Sequence, residues 1–248
     1  MFRMARRAAV YLVGAWLALA GLTGCATALT LDTARALPRG GQRLVSFVGA
    51  GYQHGEHLRY LLPDLEEDDQ EEETRSLPYT APVFIDYGLR GSLGLGAGGQ
   101  VDLWGSAPLP AGLGVGLGLK WQVLGGAEGP VALALTGRTN FSVGGNSSGG
   151  MGVTLRLWAS EGGLIASIHP RPDRALYLAP RLRYDHFAAY TSKDDRKVMS
   201  SASVTSAGGA LGVQLGRLFL EAVILRTPPQ PGSPEGGTLI TGGLGVAQ

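Results

Sequence analysis

From Ala111 to Val123 the chain alternates strictly. Ala111, Leu113, Val115, Leu117, Leu119, Trp121 and Val123 are apolar, and Gly112, Gly114, Gly116, Gly118, Lys120 and Gln122 between them are small or polar. As a helix this run would scatter its apolar residues around the whole circumference and lose about 1 kcal/mol at each glycine. Period two predicts a strand with one apolar face and one small or polar face. A phosphate-cradling loop is excluded on the same ground, because its glycines fall irregularly in a strand-to-helix turn and no helical period follows here.

The same alternation recurs along the chain. Val83, Ile85, Tyr87 and Leu89 oppose Phe84, Asp86 and Gly88; Leu93, Leu95, Ala97, Val101 and Leu103 oppose Gly94, Gly96, Gly98, Gln100 and Asp102. Val131, Leu133, Leu135, Phe141 and Val143 oppose Ala132, Ala134, Thr136, Arg138, Asn140 and Ser142, and Met151, Val153, Leu155 and Leu157 oppose Gly152, Thr154 and Arg156. Weaker runs lie at 42–53, 174–190, 200–215, 217–226 and 237–247, with a further candidate at 164–168. Turn signals fall at Arg90-Gly91-Ser92 and at 106–110, 124–130 and 144–150. The expected fold is all-β, an antiparallel up-and-down meander of about ten strands (range 8–12) closing into a barrel over residues 42–248. A run such as 111–123 extends about 43 Å at ~3.3 Å per residue, long for a soluble sheet and ample for a tilted membrane-spanning strand.

Composition helps to orient the faces. The chain has 40 glycines in 248 residues without a collagen period, so the excess belongs to the strands themselves. A water-exposed outer face would be rich in Lys, Glu and Thr; here the non-apolar face is mostly glycine, alanine and serine, which suits a narrow lumen. The opposite face is Leu, Val and Ile, with Trp121 and Tyr87 available for an interfacial belt. The expectation is therefore apolar side chains on lipid and closure of every backbone hydrogen bond in a barrel. The inward charges are then Asp86, Asp102, Asp185 and Glu221 against Lys120, Arg138, Arg156, Arg181 and Arg183. Nearly balanced signs predict a paired network filling the lumen rather than the single-sign ring of an ion-selective channel. Asp102, Lys120, Arg138 and Arg156 lie 18 apart, a spacing that would put them at similar depth on successive strands. The alternative is a soluble lipocalin-like cup with its apolar face inward around an apolar ligand.

The first residues carry Arg3, Arg6 and Arg7 ahead of an apolar stretch from Ala8 to Leu22, the pattern of a secretion signal. Loss of that signal leaves 18 of the 21 basic residues against 20 acidic ones, which removes any nucleic-acid footprint. Cys25 is the only cysteine, so intramolecular disulfides and thiolate metal clusters are excluded. The acidic run at 63–76, within a loop taken as 61–76, lacks the alternating ligands and central glycine of an EF-hand and reads as a solvated segment. His54, His57, His169 and His186 show no metal-ligand spacing, and Asp185 and His186, being adjacent, point to opposite faces of a strand. No catalytic residue, metal site or cofactor is assigned.

Leu22-Thr23-Gly24-Cys25 resembles the bacterial lipobox, and TARALPRGGQ at 33–42, running into the first strand, resembles the entry to small outer-membrane β-barrel lipoproteins. The resemblance implies a lipoprotein signal peptide at 1–24, a lipidated periplasmic spacer at 25–41, and a transmembrane barrel at 42–248. It also implies a diacylglyceryl group and an acyl chain such as palmitate on Cys25. Ala26 in the next position matches retention in the outer membrane, so the partners are membrane lipids, with no protein partner indicated. The implied role is structural or at the surface, or a narrow small-solute pore; a lipid-modifying barrel enzyme is the third reading. The chain departs from the usual aromatic terminal residue of such barrels, ending Gly245-Val246-Ala247-Gln248, although 239–246 still alternate.

Overall fold

The computed structural model describes residues 29–55, 80–107, 112–126, 129–148, 151–193, 196–229 and 236–248. The expected signal peptide at 1–24, Cys25, His57 and the acidic run at 61–76 lie outside them. Ten strands follow one another: β1 (Gln42–Gly55), β2 (Thr80–Gly96), β3 (Gly99–Ser106), β4 (Leu113–Leu124), β5 (Val131–Ser148), β6 (Met151–Arg171), β7 (Arg174–Lys193), β8 (Arg196–Leu215), β9 (Leu218–Thr227) and β10 (Gly237–Ala247). Each pairs antiparallel with its sequence neighbour, and β1 closes on β10 from Val45↔Ala247 to Gly55↔Gly237. The fold is the expected meander barrel.

The alternation holds around the wall. Leu103, Leu113, Val115, Leu117, Leu119 and Trp121 stand outward and exposed, while Gly114, Gly116 and Gly118 face the lumen. The outer face carries an apolar band with Tyr52, Tyr87, Phe141, Trp158 and Tyr184 towards one edge and Trp121 towards the other. The leucines do not gather round a ligand cavity, as the cup reading required.

Three details differ from the sequence reading. The run 93–103 is not one strand but the β2–β3 hairpin, turning at Ala97 and Gly98, both at positive φ. Arg90-Gly91-Ser92 is no turn: it lies inside β2, whose odd residues stay outward from Ile85 through Leu95. The runs at 151–157 and 164–168 are one strand, β6, in the opposite phase from that expected near its start, with Leu157 and Ala159 inward and Trp158 outward.

The two barrel ends are unlike. Ala97-Gly98, Pro172-Asp173, Gly216-Arg217 and 125–130 connect strands at one end; 56–79, 107–112, 149–150, 194–195 and 228–236 connect them at the other, where 56–79 is by far the longest. In outer-membrane barrels short turns face the periplasm. Wall height also varies: β3 has 8 residues, while β6, β7 and β8 have 20 or 21. Residues 196–206 of β8 and 144–148 of β5 rise past their shorter neighbours β9 and β4.

Candidate functional site, a lumen closed by the N-terminal segment

Residues 29–41 enter β1 at the short-turn end, and the part expected as a spacer beneath the barrel lies inside it: Leu29 to Ala34 are all buried. A non-strand segment inside a barrel must find partners for its backbone, because an unpaired buried N–H or C=O costs as much as a lost hydrogen bond. Here the wall side chains supply them. Gln100 Oε1 accepts from Leu37 N at 3.2 Å, Gln122 Oε1 from Ala36 N at 2.9 Å, and Ser167 Oγ from Ala34 N at 3.1 Å. Lys120 Nζ donates to the carbonyls of Thr33 (3.0 Å) and Arg35 (2.9 Å), Arg138 to those of Leu29 (3.1 Å) and Thr30 (3.4 Å), and Arg90 also to Thr30 O. Glu221, from the other side of the barrel, takes Thr30 N on Oε1 at 2.5 Å and Leu31 N on Oε2 at 2.7 Å, while Tyr177 donates its hydroxyl to Oε2 at 2.7 Å. Leu31, whose N–H is one of the two held by Glu221, has φ 44°, a left-handed backbone uncommon outside glycine. That conformation costs about 1 kcal/mol without glycine, and the paired carboxylate offsets it.

Asp32 is the hub. Its side chain is fully buried, and it receives Arg43 Nη2 at 2.5 Å, Lys120 Nζ at 2.7 Å, Arg90 Nη2 at 3.0 Å and Gln100 Nε2 at 3.2 Å. Three cations, Arg43, Lys120 and Arg90, converge on this one carboxylate, and their attraction offsets the cost of burying it. Arg90 Nη2 bridges from Asp32 to Asp102 Oδ2 at 2.6 Å, and Gln100 Nε2 reaches Asp102 Oδ1 at 2.9 Å. A second set lies on the long strands: Arg181 Nη1 meets Glu161 Oε1 at 3.1 Å, Arg138 Nη1 stands 4.0 Å from that oxygen, and Arg183 pairs with Asp185 at 2.9 Å. Arg181 Nη2 is 3.7 Å from Glu221 Oε1 and so joins the set to the segment's own anchor.

The apolar half of the seat comes from elsewhere. Leu29, Leu31 and Ala34 belong to one buried cluster with Phe47, Ile165, Tyr177, Ala179, Phe219, Val223 and Leu225. Sequence reading expected small residues and charges on the axis, and apart from the inward Trp104 that describes β2 to β5. The wall from β6 to β9 turns large apolar side chains inward because they have Leu29 and Leu31 to pack against. Glycines make the room: a Cβ at Gly49 or Gly243 would collide with the Leu29 side chain, and one at Gly116 would fall inside the Trp104 indole.

Of the charges assigned to the lumen, Asp86, Asp102, Lys120, Arg181, Arg183, Asp185 and Glu221 are buried there and Arg138 is half-buried. Arg156 is not among them. It stands exposed on the outer face just beyond Trp158, its guanidinium 4.7 Å from the Tyr190 ring centroid. Asp102 and Arg138 share a rung through Gly118, while Lys120 sits one rung nearer the short turns, beside Gln100 and Thr136. Reading the sequence missed Asp32, Arg43, Arg90, Glu161, Gln100, Gln122 and Tyr177 as partners. It also missed that Ser167 Oγ and His169 Nε2 meet at 2.8 Å on the inward face of β6. That hydroxyl is already engaged by Ala34 N.

Fold and lumen together define a class: a closed ten-stranded antiparallel barrel, apolar outside and filled by its own N-terminal segment. No protein-family model matches the chain, and no curated protein sequence matches it. Among solved structures it is similar to Ail, the attachment invasion locus protein of Yersinia pestis, at 12% identity over 85% of this chain and 99% of that one, with a TM-score of 0.36. It is similar to the N-terminal β-barrel domain of Pseudomonas aeruginosa OprF at 8% identity, over 82% and 97%, with a TM-score of 0.32. The translocator domain of autotransporter NalP from Neisseria meningitidis gives 12% identity, 98% and 97%, and a TM-score of 0.41.

Proposed function

We propose that this chain is an outer-membrane β-barrel lipoprotein, anchored through Cys25, whose lumen is sealed by residues 29–37 and whose role is structural or at the surface rather than conductive. The apolar, aromatic-edged outer face supports residence in lipid, since exposed Leu, Val and Trp around a complete circumference would drive aggregation in water. The observation that carries the sealed reading is the pairing of the segment's backbone with Gln100, Gln122, Lys120, Ser167, Arg138 and Glu221 around the Asp32 hub. A conducting lumen needs mobile water and unpaired charge along its axis; this one is occupied at mid-height and its charges face one another in pairs.

The test is conductance in planar bilayers. The intact protein is expected to give no reproducible single-channel steps, and a variant with the Asp32 hub and its neighbours replaced by a Gly-Ser linker over 29–37 is expected to give them. Steps of uniform size from the intact protein would overturn the sealed reading and restore the narrow pore.

A further inference from the structure

Charge is distributed unevenly across the wall. Among the described residues every carboxylate is turned into the lumen except Asp173, in the short turn between β6 and β7. The lumen arginines Arg43, Arg90, Arg181 and Arg183 each meet one of those carboxylates. Arg156 does not. It stands exposed on the outer face of β6, two residues beyond Trp158, with no hydrogen bond or ion pair among the described residues. We propose that Arg156 and the polar cluster beside it on β7 and β8 bind the phosphate-bearing headgroup of an outer-leaflet lipid. This rests on the membrane-barrel reading and is independent of any lipid on Cys25.

Three features of the site select that occupant. The first is how Arg156 is held. Its guanidinium lies 4.7 Å from the Tyr190 ring centroid, and a stacked aromatic face steadies the cation while using none of its five N–H donors. A planar fork with free donors matches phosphate, whose oxygens accept two parallel hydrogen bonds from it.

The second is what stands next to it. The register pairs Trp158 with His186 and His186 with Ser203, so His186 is the diagonal neighbour of Arg156 on the same outward face, ~7–8 Å away between Cα atoms. Tyr184 donates its hydroxyl to Ser203 Oγ at 2.9 Å, and Ser203 Oγ meets His186 Nδ1 at 2.9 Å. With Ser203 accepting from Tyr184 and donating to Nδ1, the ring proton sits on Nε2. That nitrogen has no partner among the described residues, which leaves it to donate to the ester and hydroxyl oxygens of a headgroup.

The third is depth. Trp158, whose indole N–H is given to Thr139 Oγ1 at 2.8 Å, and Tyr184 belong to the aromatic edge of the apolar band. Below them the outward side chains of β6 and β7 include Leu164, Ile168, Leu178 and Leu182, all exposed. Arg156 stands on the far side of that edge, where acyl chains give way to headgroups. A soluble anion would have no use for the apolar face that runs directly down from the arginine; a lipid uses both.

The experiment places the full chain in dodecyl maltoside micelles with two photoactivatable lipids that differ only in the headgroup, a phosphatidic acid and the corresponding diacylglycerol, each with a diazirine near the glycerol end of one acyl chain. After irradiation the labelled peptides are mapped. The phosphatidic acid is expected to label 156–160 and 182–186 in preference to the wall from β2 to β4, and the diacylglycerol to label the apolar band evenly. Arg156→Ala is expected to lower phosphatidic acid labelling of that patch about tenfold and to leave diacylglycerol labelling unchanged. Arg156→Lys, a charge without the fork, should fall between the two. Heat-modifiable migration checks that each variant has folded. Equal labelling of the patch by both lipids, or labelling that Arg156→Ala does not move, would overturn the headgroup site. Displacement of the phosphatidic acid by inorganic phosphate at the same concentration would overturn the lipid as its occupant. A diacylglycerol that fails to label the apolar band at all would instead overturn the membrane-barrel reading beneath the proposal.

Discussion

The two halves of the lumen wall hold the same segment by different physics. From β1 to β5 the grip is directional: Arg43, Arg90, Gln100, Lys120, Gln122 and Arg138 each meet a particular oxygen or N–H of residues 29–37. From β6 to β9 it is largely apolar, with Ile165, Tyr177, Phe219 and Val223 clustered around Leu29 and Leu31, and Glu221 and Ser167 as the polar exceptions. A greasy wall alone would bind any apolar segment in several registers; a polar wall alone would spend desolvation energy for little net gain. Together they specify one segment in one register, and the sequence of the segment answers both, with Leu31 and Asp32 adjacent and facing opposite halves.

That contrast can be tested by removing each half in turn. The largest effect is expected from Asp32→Ala, which strands Arg43, Arg90 and Lys120 without their shared anion and should cost about 3–5 kcal/mol in urea unfolding of the detergent-solubilised barrel. A loss under about 1 kcal/mol would mean that the polar half contributes little.

Leu31→Ala comes next, at about 2–4 kcal/mol from lost burial and the cavity left beside Val45. A loss under about 1 kcal/mol there would mean that the apolar half contributes little. The smallest effect is expected from Arg156→Ala. It removes an exposed cation–π contact with Tyr190 worth about 0.5–1 kcal/mol, far less than Arg90→Ala, which breaks the bridge between Asp32 and Asp102. Comparable losses from the two arginines would place Arg156 inside after all.

Those two arginines also show how much of the site could be read from the chain. The strand alternation was legible because lipid on one side and a crowded axis on the other impose period two over most of the wall. Asp102, Lys120, Arg138 and Glu221 were legible as inward for the same reason. Arg90 was hidden by Gly91 and Ser92, which imitate a turn; the signal against that reading was the unbroken odd-numbered apolar phase from Ile85 to Leu95 on both sides of it. Arg156 was placed on the wrong face because Met151, Val153, Leu155 and Leu157 alternate as well as any lipid-facing run, but the start of β6 lies beyond the apolar band, where lipid no longer dictates which parity is apolar. Asp32 was not legible by periodicity at all. A segment that is neither strand nor helix leaves no period, and its partners come from strands up to 191 residues away.

The seam between β1 and β10 sets the order of construction. Residues 29–41 run without a break into β1, the strand that must join the last one to complete the ring. With no break between segment and strand, seating residues 29–37 against the wall also brings β1 to the edge that β10 must meet. The closing hydrogen bonds, such as Gln248 N to Leu44 O at 2.8 Å, then form over a core already in place. An empty cylinder would in that case never exist as a precursor.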